Sequence, residues 1–229
     1  MTFDYGEACP ISKATSVLCE RWTLQIIREM LMGATRFTEF QKYLPKLSPT
    51  LLNSRLRLLE EEGIILKKKT AEKRSYEYRL TPAGMALAPV LAELGKWGMQ
   101  WVFESMNEDE LNVSTIVRDF AWAMDVSQLP SGNSTIQFSI EHQGVTSKKF
   151  VLVRDGKAQV CEENIGLDVD VYLSASLKTF YDIWFAATSL SFACDKGLLK
   201  LVGAPSYVRQ ISKWLRTSQF GDFRKSPGC

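Results

Sequence analysis

The chain has 229 residues, with 28 Lys and Arg against 26 Asp and Glu, a formal net charge of +2, 45% hydrophobic residues and 24% charged ones. At roughly 100–200 residues per domain this length suits two domains, and the ordinary composition lets each bury a core. The longest charge-free stretches, such as Ile183–Cys194, are too short and too rich in Ser and Thr to cross a bilayer, and the opening "MTFDYGEACP" lacks a basic, then apolar, leader pattern; a cytoplasmic protein without a membrane partner is expected. Five cysteines form no C-x-x-C pair and His142 is the sole histidine, so neither a disulfide framework nor a metal site nor a cofactor is indicated. The charge is uneven. Residues 36–79 hold eleven basic and six acidic side chains, whereas residues 107–229 hold thirteen and fourteen.

In chain order, "CPISKATSVLCERWTLQIIREMLMG" repeats apolar residues at helical spacing and predicts two helices in close succession, ending at Gly33. "RFTEFQKYLP" places Phe37, Phe40 and Leu44 on one face of a short helix stopped by Pro45. After a brief turn, residues 48–62 predict a second helix: Ser48 can cap it, Pro49 suits its first position, and Gly63 can take the left-handed conformation that ends it. On a wheel of about 100° per residue, Leu52, Leu56 and Leu59 face inward, while Thr50, Asn53, Ser54 and Arg57 share the opposite face. Short hydrogen-bonding side chains followed by an arginine are the groups that read base edges and phosphates; the same face also fits an ordinary solvated helix. Residues 64–80 then predict a basic β-hairpin, with Lys67, Lys68, Lys73 and Arg74 placed to meet a phosphate backbone. From Thr81 a long helix runs through Leu87, Val90, Leu91, Leu94, Trp97, Trp101 and Val102, with an apolar surface wider than one small domain covers.

Two helices joined by a short turn and followed by a hairpin are the winged helix-turn-helix arrangement. The segments "CPISKA", "RWTLQIIREMLMGATRFTEFQKYLP", "LSPTLLNSRLRLLEEEGII" and "YEYRLTPAGMALAPVLAELGKWG" resemble, in order and spacing, the HxlR family of bacterial winged-helix transcription regulators. The chain departs from many members at "CERW", where they carry a Gly-Gly-Lys-Trp-like sequence. The resemblance implies a homodimer formed through the first and last helices of residues 1–106, with two recognition helices on double-stranded DNA. It also implies a role for Cys9, because in some members the matching cysteine senses oxidants or electrophiles. Placed before Pro10 at a helix start, Cys9 can have a lowered pKa, or can be an inert interface cysteine.

Beyond a polar linker at 107–112, "STIVRDFAWAMDVSQLP" predicts a helix closed by Pro130. Strands follow in "STIQFSIEH", "KKFVLVRDGKAQVCEE" and "LDVDVYLSA", with a hairpin turn at Asp155-Gly156. Helical segments in "SLKTFYDIWFAATSLSFACDKG", a strand in "LLKLVG" and a closing helix in "APSYVRQISKWLRTS" complete residues 107–222, leaving 223–229 as a tail. The expected fold class is α+β: the winged helix-turn-helix, then a domain with an antiparallel-rich sheet covered by helices. This order resembles the sterol carrier protein type 2 fold, which implies an apolar cavity lined by Phe138, Phe180, Trp184, Phe185 and Phe192. The same spacings also suit a plain core.

No Ser-His-Asp set, phosphate loop or metal-ligand cluster accompanies His142, so an enzyme is not expected. The favoured reading is a dimeric DNA-binding regulator, modulated by an apolar ligand in the second domain, in which Ser48 and Pro49 hold a phosphate at the helix start, Thr50, Asn53, Ser54 and Arg57 reach bases, and Arg36, Lys67, Lys68, Lys73 and Arg74 meet the backbone. Two alternatives stand beside it. One is a carrier or sensor of a small apolar effector that uses the winged helix for dimerisation or protein contacts only; the other is a thiol-based regulator acting through Cys9.

Overall fold

A computed structural model of the chain describes residues 5–70, 76–103, 107–163 and 166–224. The contacts divide it into two compact units, Met1–Gly95 and Lys96–Cys229.

The first unit carries α1 (Pro10–Leu18), α2 (Thr23–Leu31), α3 (Phe37–Tyr43), α4 (Pro49–Glu61), the antiparallel pair β1 (Ile65–Lys69) and β2 (Tyr76–Leu80), α5 (Pro82–Met85) and the start of α6 (Ala88–Trp101). Its core gathers Ile26 and Ile27 of α2, Phe40 of α3, Leu52, Leu56 and Leu59 of α4 and Ile65 of β1, each at most 2% exposed. These are the apolar stripes legible in the sequence, now packed on one another. One expectation needs correcting: the helix from Thr81 is not continuous but breaks at Ala86 and Leu87. Pro89 has no N–H to return to the carbonyl of Met85, so the ladder is interrupted there. Val90, Leu94, Trp97 and Trp101 of α6 are all about half exposed.

The second unit takes in the end of α6 and continues with a 3-10 turn at Glu108–Glu110, inside the expected linker, and α7 (Val113–Ala123). Its five-stranded sheet has the order β5-β4-β3-β6-β7, from β3 (Ser134–His142), β4 (Val145–Arg154), β5 (Lys157–Cys161), β6 (Val171–Ser176) and β7 (Leu199–Gly203). Only the neighbours β3 and β6 run parallel. Asp155 and Gly156 both have positive φ, 51° and 70°, as a two-residue hairpin turn requires, and Gln143 and Gly144 repeat this between β3 and β4. Helices α8 (Leu177–Trp184), α9 (Leu190–Asp195), α10 (Pro205–Arg209) and α11 (Ile211–Trp214) complete the unit, whose core joins Phe120 of α7, Ile136, Phe138 and Ile140 of β3 and Phe180 of α8.

Three boundaries differ from expectation, each because a distant group captures the backbone. Helix α7 stops at Ala123 instead of reaching Pro130: Met124 is extended and the N–H of Asp125 donates to the carbonyl of Trp214 at 2.9 Å. The strand expected to include Val169 begins at Val171: the N–H of Asp170 donates to the carbonyl of Thr135 at 2.9 Å, and its carboxylate, not its backbone, accepts the Thr135 N–H at 2.8 Å. The closing helix is two pieces split at Gln210. There the indole of Trp214 donates to the carbonyl of Tyr207 at 3.0 Å, the acceptor a continuous helix would offer to Ile211.

Candidate nucleic-acid interface

The candidate recognition helix is specified at both ends by its own sequence. The hydroxyl of Ser48 accepts from the N–H of Leu51 at 3.3 Å, Pro49 occupies the first turn, and Gly63 follows with φ of 68°. At the preceding helix, the carboxylate of Glu39 accepts from the N–H groups of Thr35 and Arg36 at 2.7 and 2.8 Å, fixing where α3 starts. Between α3 and α4, Leu44 and Leu47 are buried, which sets the turn of the helix-turn-helix on the core. With Leu52, Leu56 and Leu59 inward, Ser48, Pro49, Thr50, Asn53, Ser54 and Arg57 are all exposed as expected. Arg57 has an exposed carboxylate neighbour, Glu61, one turn on at 3.5 Å.

The hairpin adds information that the sequence did not carry. Its register pairs Lys67 with Tyr78 and Lys68 with Glu77, and successive side chains point to opposite faces. Ile65, Lys67, Tyr78 and Leu80 therefore share the face turned to α4, whereas Lys68 and Arg79 lie on the other, where Arg79 meets Glu77 at 3.0 Å. The two lysines grouped together from the sequence do not act from one place. Lys67 Nζ sits 4.4 Å from the ring centre of Tyr76 and 5.9 Å from that of Tyr78, a cation held over two aromatic faces. Arg36 reaches the same assembly from the other side: its backbone bridges Glu77, and the N–H of Tyr78 donates to the carbonyl of Thr35 at 2.8 Å. Lys73 and Arg74 lie outside the described residues.

Between α4 and the hairpin opens a cleft of about 370 Å³ lined by Thr50, Asn53, Ser54, Leu56, Arg57, Glu60, Lys67 and Tyr78. All four outer-face residues proposed to reach bases thus meet one lysine of the hairpin. Glu60 and Tyr78 were not anticipated. Tyr78 is buried, and that burial, with the Glu60 carboxylate and Tyr76 beside it, pushes its phenol above the ordinary value, so it stays a neutral hydrogen-bonding group. Its alternation with Tyr76 marked a strand, but only the register shows that both rings support Lys67.

The segment of residues 17–106 matches the family model for HxlR-like helix-turn-helix proteins. The HTH-type transcriptional regulator YvaP of Bacillus subtilis is 41% identical over 99 residues, which are 42% of this chain and 92% of YvaP. The chain belongs to the HxlR family. A second relative, the HTH-type transcriptional regulator sll1512 of Synechocystis, is 34% identical over 110 residues, 48% of this chain and 82% of that one. Among solved structures, the reduced form of the regulator YodB from B. subtilis is 33% identical, with 42% of this chain and 96% of that one covered and a TM-score of 0.38. Membership makes the chain a transcription regulator of winged-helix type with a DNA-binding helix-turn-helix.

The second unit's candidate residues do not converge on one site. Phe120 of α7, missed in the sequence, is the centre of the aromatic cluster: its ring lies 5.9 Å from Phe138, 6.1 Å from Phe180 and 5.2 Å from Trp184. Phe185 packs instead against Phe103 at 5.0 Å and Tyr181 at 6.3 Å. Phe192 is half exposed, with the Lys196 ammonium over its ring. Cys9 is the N-cap residue of α1, and hydrogen bonds from the backbone of Ser12, then Ile11, and from the Ser12 side chain hold its thiol below the ordinary value. Among the described residues, no group of acidic, His and Cys side chains could hold a metal ion, and no helix is long and apolar enough to cross a membrane.

Proposed function

We propose that this HxlR-family regulator binds double-stranded DNA as a homodimer, with α4 in the major groove and the hairpin on the adjacent backbone. The observation that carries the reading is the convergence of Thr50, Asn53, Ser54 and Arg57 with Lys67 on one open cleft. Thr50, Asn53, Ser54 and Arg57 contact base edges, Ser48 and Pro49 bring the helix start to a phosphate, and Arg36, Lys67, Lys68, Lys73 and Arg74 contact the backbone. The exposed Val90, Leu94, Trp97 and Trp101 support a second copy docking on the last helix of the 1–106 DNA-binding and dimerisation domain. Two such domains would read half-sites about 34–36 Å apart. The ring contacts around Phe120 favour packing over ligand binding, so the sterol-carrier reading of residues 107–222 is not carried further.

The test is binding of the purified full chain to a duplex enriched by it from a random pool and to unselected duplex, at two salt concentrations, with light scattering for the oligomeric state. Preference for the enriched duplex, an affinity that falls as salt rises and a dimer mass are expected. Equal weak binding to both would refute the groove assignment, and a monomer on DNA would refute the dimer.

A second reading rests on Cys9. Its lowered pKa enriches the thiolate, the form that attacks electrophiles and oxidants, so a modified Cys9 would alter the first helix of the dimer and release DNA. Diamide treatment that leaves DNA affinity unchanged would exclude it.

A further inference from the structure

Arg55 is the one arginine of α4 that does not point away from the protein. It precedes Arg57 by two positions, about 200° around the helix. Its Nε donates to the carbonyl of Arg21 at 2.9 Å, and a terminal nitrogen meets the Glu20 carboxylate at 2.7 Å, with the side chains only 16% and 30% exposed. Both acceptors belong to the turn between α1 and α2, in the stretch "CERW". That turn is itself held: the Glu20 carbonyl accepts from Thr23 N–H at 3.0 Å, and Trp22 takes a left-handed conformation with φ of 75°. It also leads directly into α2, whose Ile26 and Ile27 are wholly buried.

The apolar face of α4, through Leu52, Leu56 and Leu59, fixes its distance from the core, and a polar contact on its flank adds a restraint on rotation about the helix axis and sliding along it. A guanidinium that bonds two acceptors of a fixed turn restrains both, because its planar donor fork has one geometry. We infer that Arg55, anchored by Glu20, is a positioning residue for the recognition helix: it sets the angle at which Thr50, Asn53, Ser54 and Arg57 meet the bases and touches no DNA itself. The inference rests on the reading of α4 as the recognition helix. Its consequence is that specificity depends on a contact on the far flank of the helix. Base contacts need placement within a fraction of an ångström, whereas phosphate contacts tolerate small rotations.

The experiment compares Arg55→Gln, Glu20→Gln and the double variant with the wild-type chain on the enriched and unselected duplexes, with salt titrations and thermal melts. Each single variant is expected to lose about tenfold of the preference for the enriched duplex while affinity for unselected duplex and the salt slope stay unchanged, and the double variant is expected to be no worse than either single one. An equal loss on both duplexes with a shallower salt slope for Arg55→Gln, and no effect of Glu20→Gln, would make Arg55 a phosphate contact and overturn the inference. Full retention of preference by both variants would overturn it as well. Should Arg55→Gln fail to melt cooperatively, Glu20→Gln alone decides. A wild-type chain that prefers no duplex overturns the recognition-helix reading itself, a result distinct from all of these.

Discussion

Replacing Arg57 by alanine separates a binding role from a folding role, because the structure gives the side chain almost nothing to do in the folded chain. It is 77% exposed, and its ionic neighbour Glu61, at 3.5 Å, is 61% exposed. An exposed pair at this spacing contributes about 0.3–0.5 kcal/mol, and alanine is at least as good a helix former as arginine. The melting temperature should therefore fall by no more than about 2–4 °C, at about 4–8 °C per kcal/mol for a unit of this size. On DNA, an arginine bidentate to a guanine edge is worth about 1–3 kcal/mol of discrimination, or roughly 5- to 150-fold in affinity for the enriched duplex. Fluorescence anisotropy on enriched and unselected duplexes, beside a thermal melt of the same sample, measures both quantities. The loss should be confined to the enriched duplex and to one base position when each is varied in turn. A melting temperature lowered by ten degrees, or equal losses on every sequence, would show that Arg57 packs or meets a phosphate, and would refute the base contact.

Three further perturbations test other parts of the structure. Ser48→Ala removes the hydroxyl that accepts the Leu51 N–H and should cost about 0.5–2 kcal/mol of stability in urea unfolding, towards the lower end because the bond is long at 3.3 Å; no loss would show that the cap is idle. Gly84→Ala would set a Cβ 2.3 Å from the carbonyl oxygen of Ile64, so α5 and the base of the hairpin must part; a cost of about 1–3 kcal/mol is expected, and an unchanged melting curve would contradict the packing. For the cysteines, alkylation rate against pH should reach half its maximum at lower pH for Cys9, whose thiolate is stabilised by hydrogen bonds, than for Cys194, whose thiol is pushed up by burial and then by Asp195. Both rates rise with pH as the thiolate forms, and the reverse order would refute the assigned environments.

What could be read from the sequence was whatever is fixed by neighbours along the chain. Ser48, Pro49, the leucine stripe and Gly63 each act within a turn or two of their own position, so α4 and its exposed face were legible before any fold was known. Asp155-Gly156 was legible for the same reason. Contacts across the fold were not. Arg55 reads as one more polar residue until Glu20, 35 positions earlier, is brought to it. Phe120 reads as one helix aromatic among several until the sheet stacks Phe138 beneath it. The ends of α7 and of the closing helix were misplaced because Asp125 and Tyr207 give their backbone groups to Trp214, and no local rule anticipates a partner 89 or 7 positions away competing with the helix ladder.

The hairpin shows why the candidate site depends on this non-local part. Its sequence supplies three successive lysines, and alternation guarantees that two face one way and one the other without saying which. A slip of one residue in β1 would bring Lys68 to the face turned to α4 and turn Ile65 out of the core. What prevents it lies at the hairpin's base and side: the N–H of Thr81 donates to the carbonyl of Ile64 at 3.0 Å, the hydroxyl of Thr81 to that of Gly63 at 2.7 Å, and the backbone of Thr35 and Arg36, just before α3, holds Tyr78 and Glu77 from the other edge. Because the burial of Ile65 and Tyr78 and these bonds favour the same register, the choice of Lys67 as the lysine facing α4 follows from the helix-turn-helix core. A change in that core that freed the register is therefore expected to alter DNA binding although no residue proposed to contact DNA is replaced.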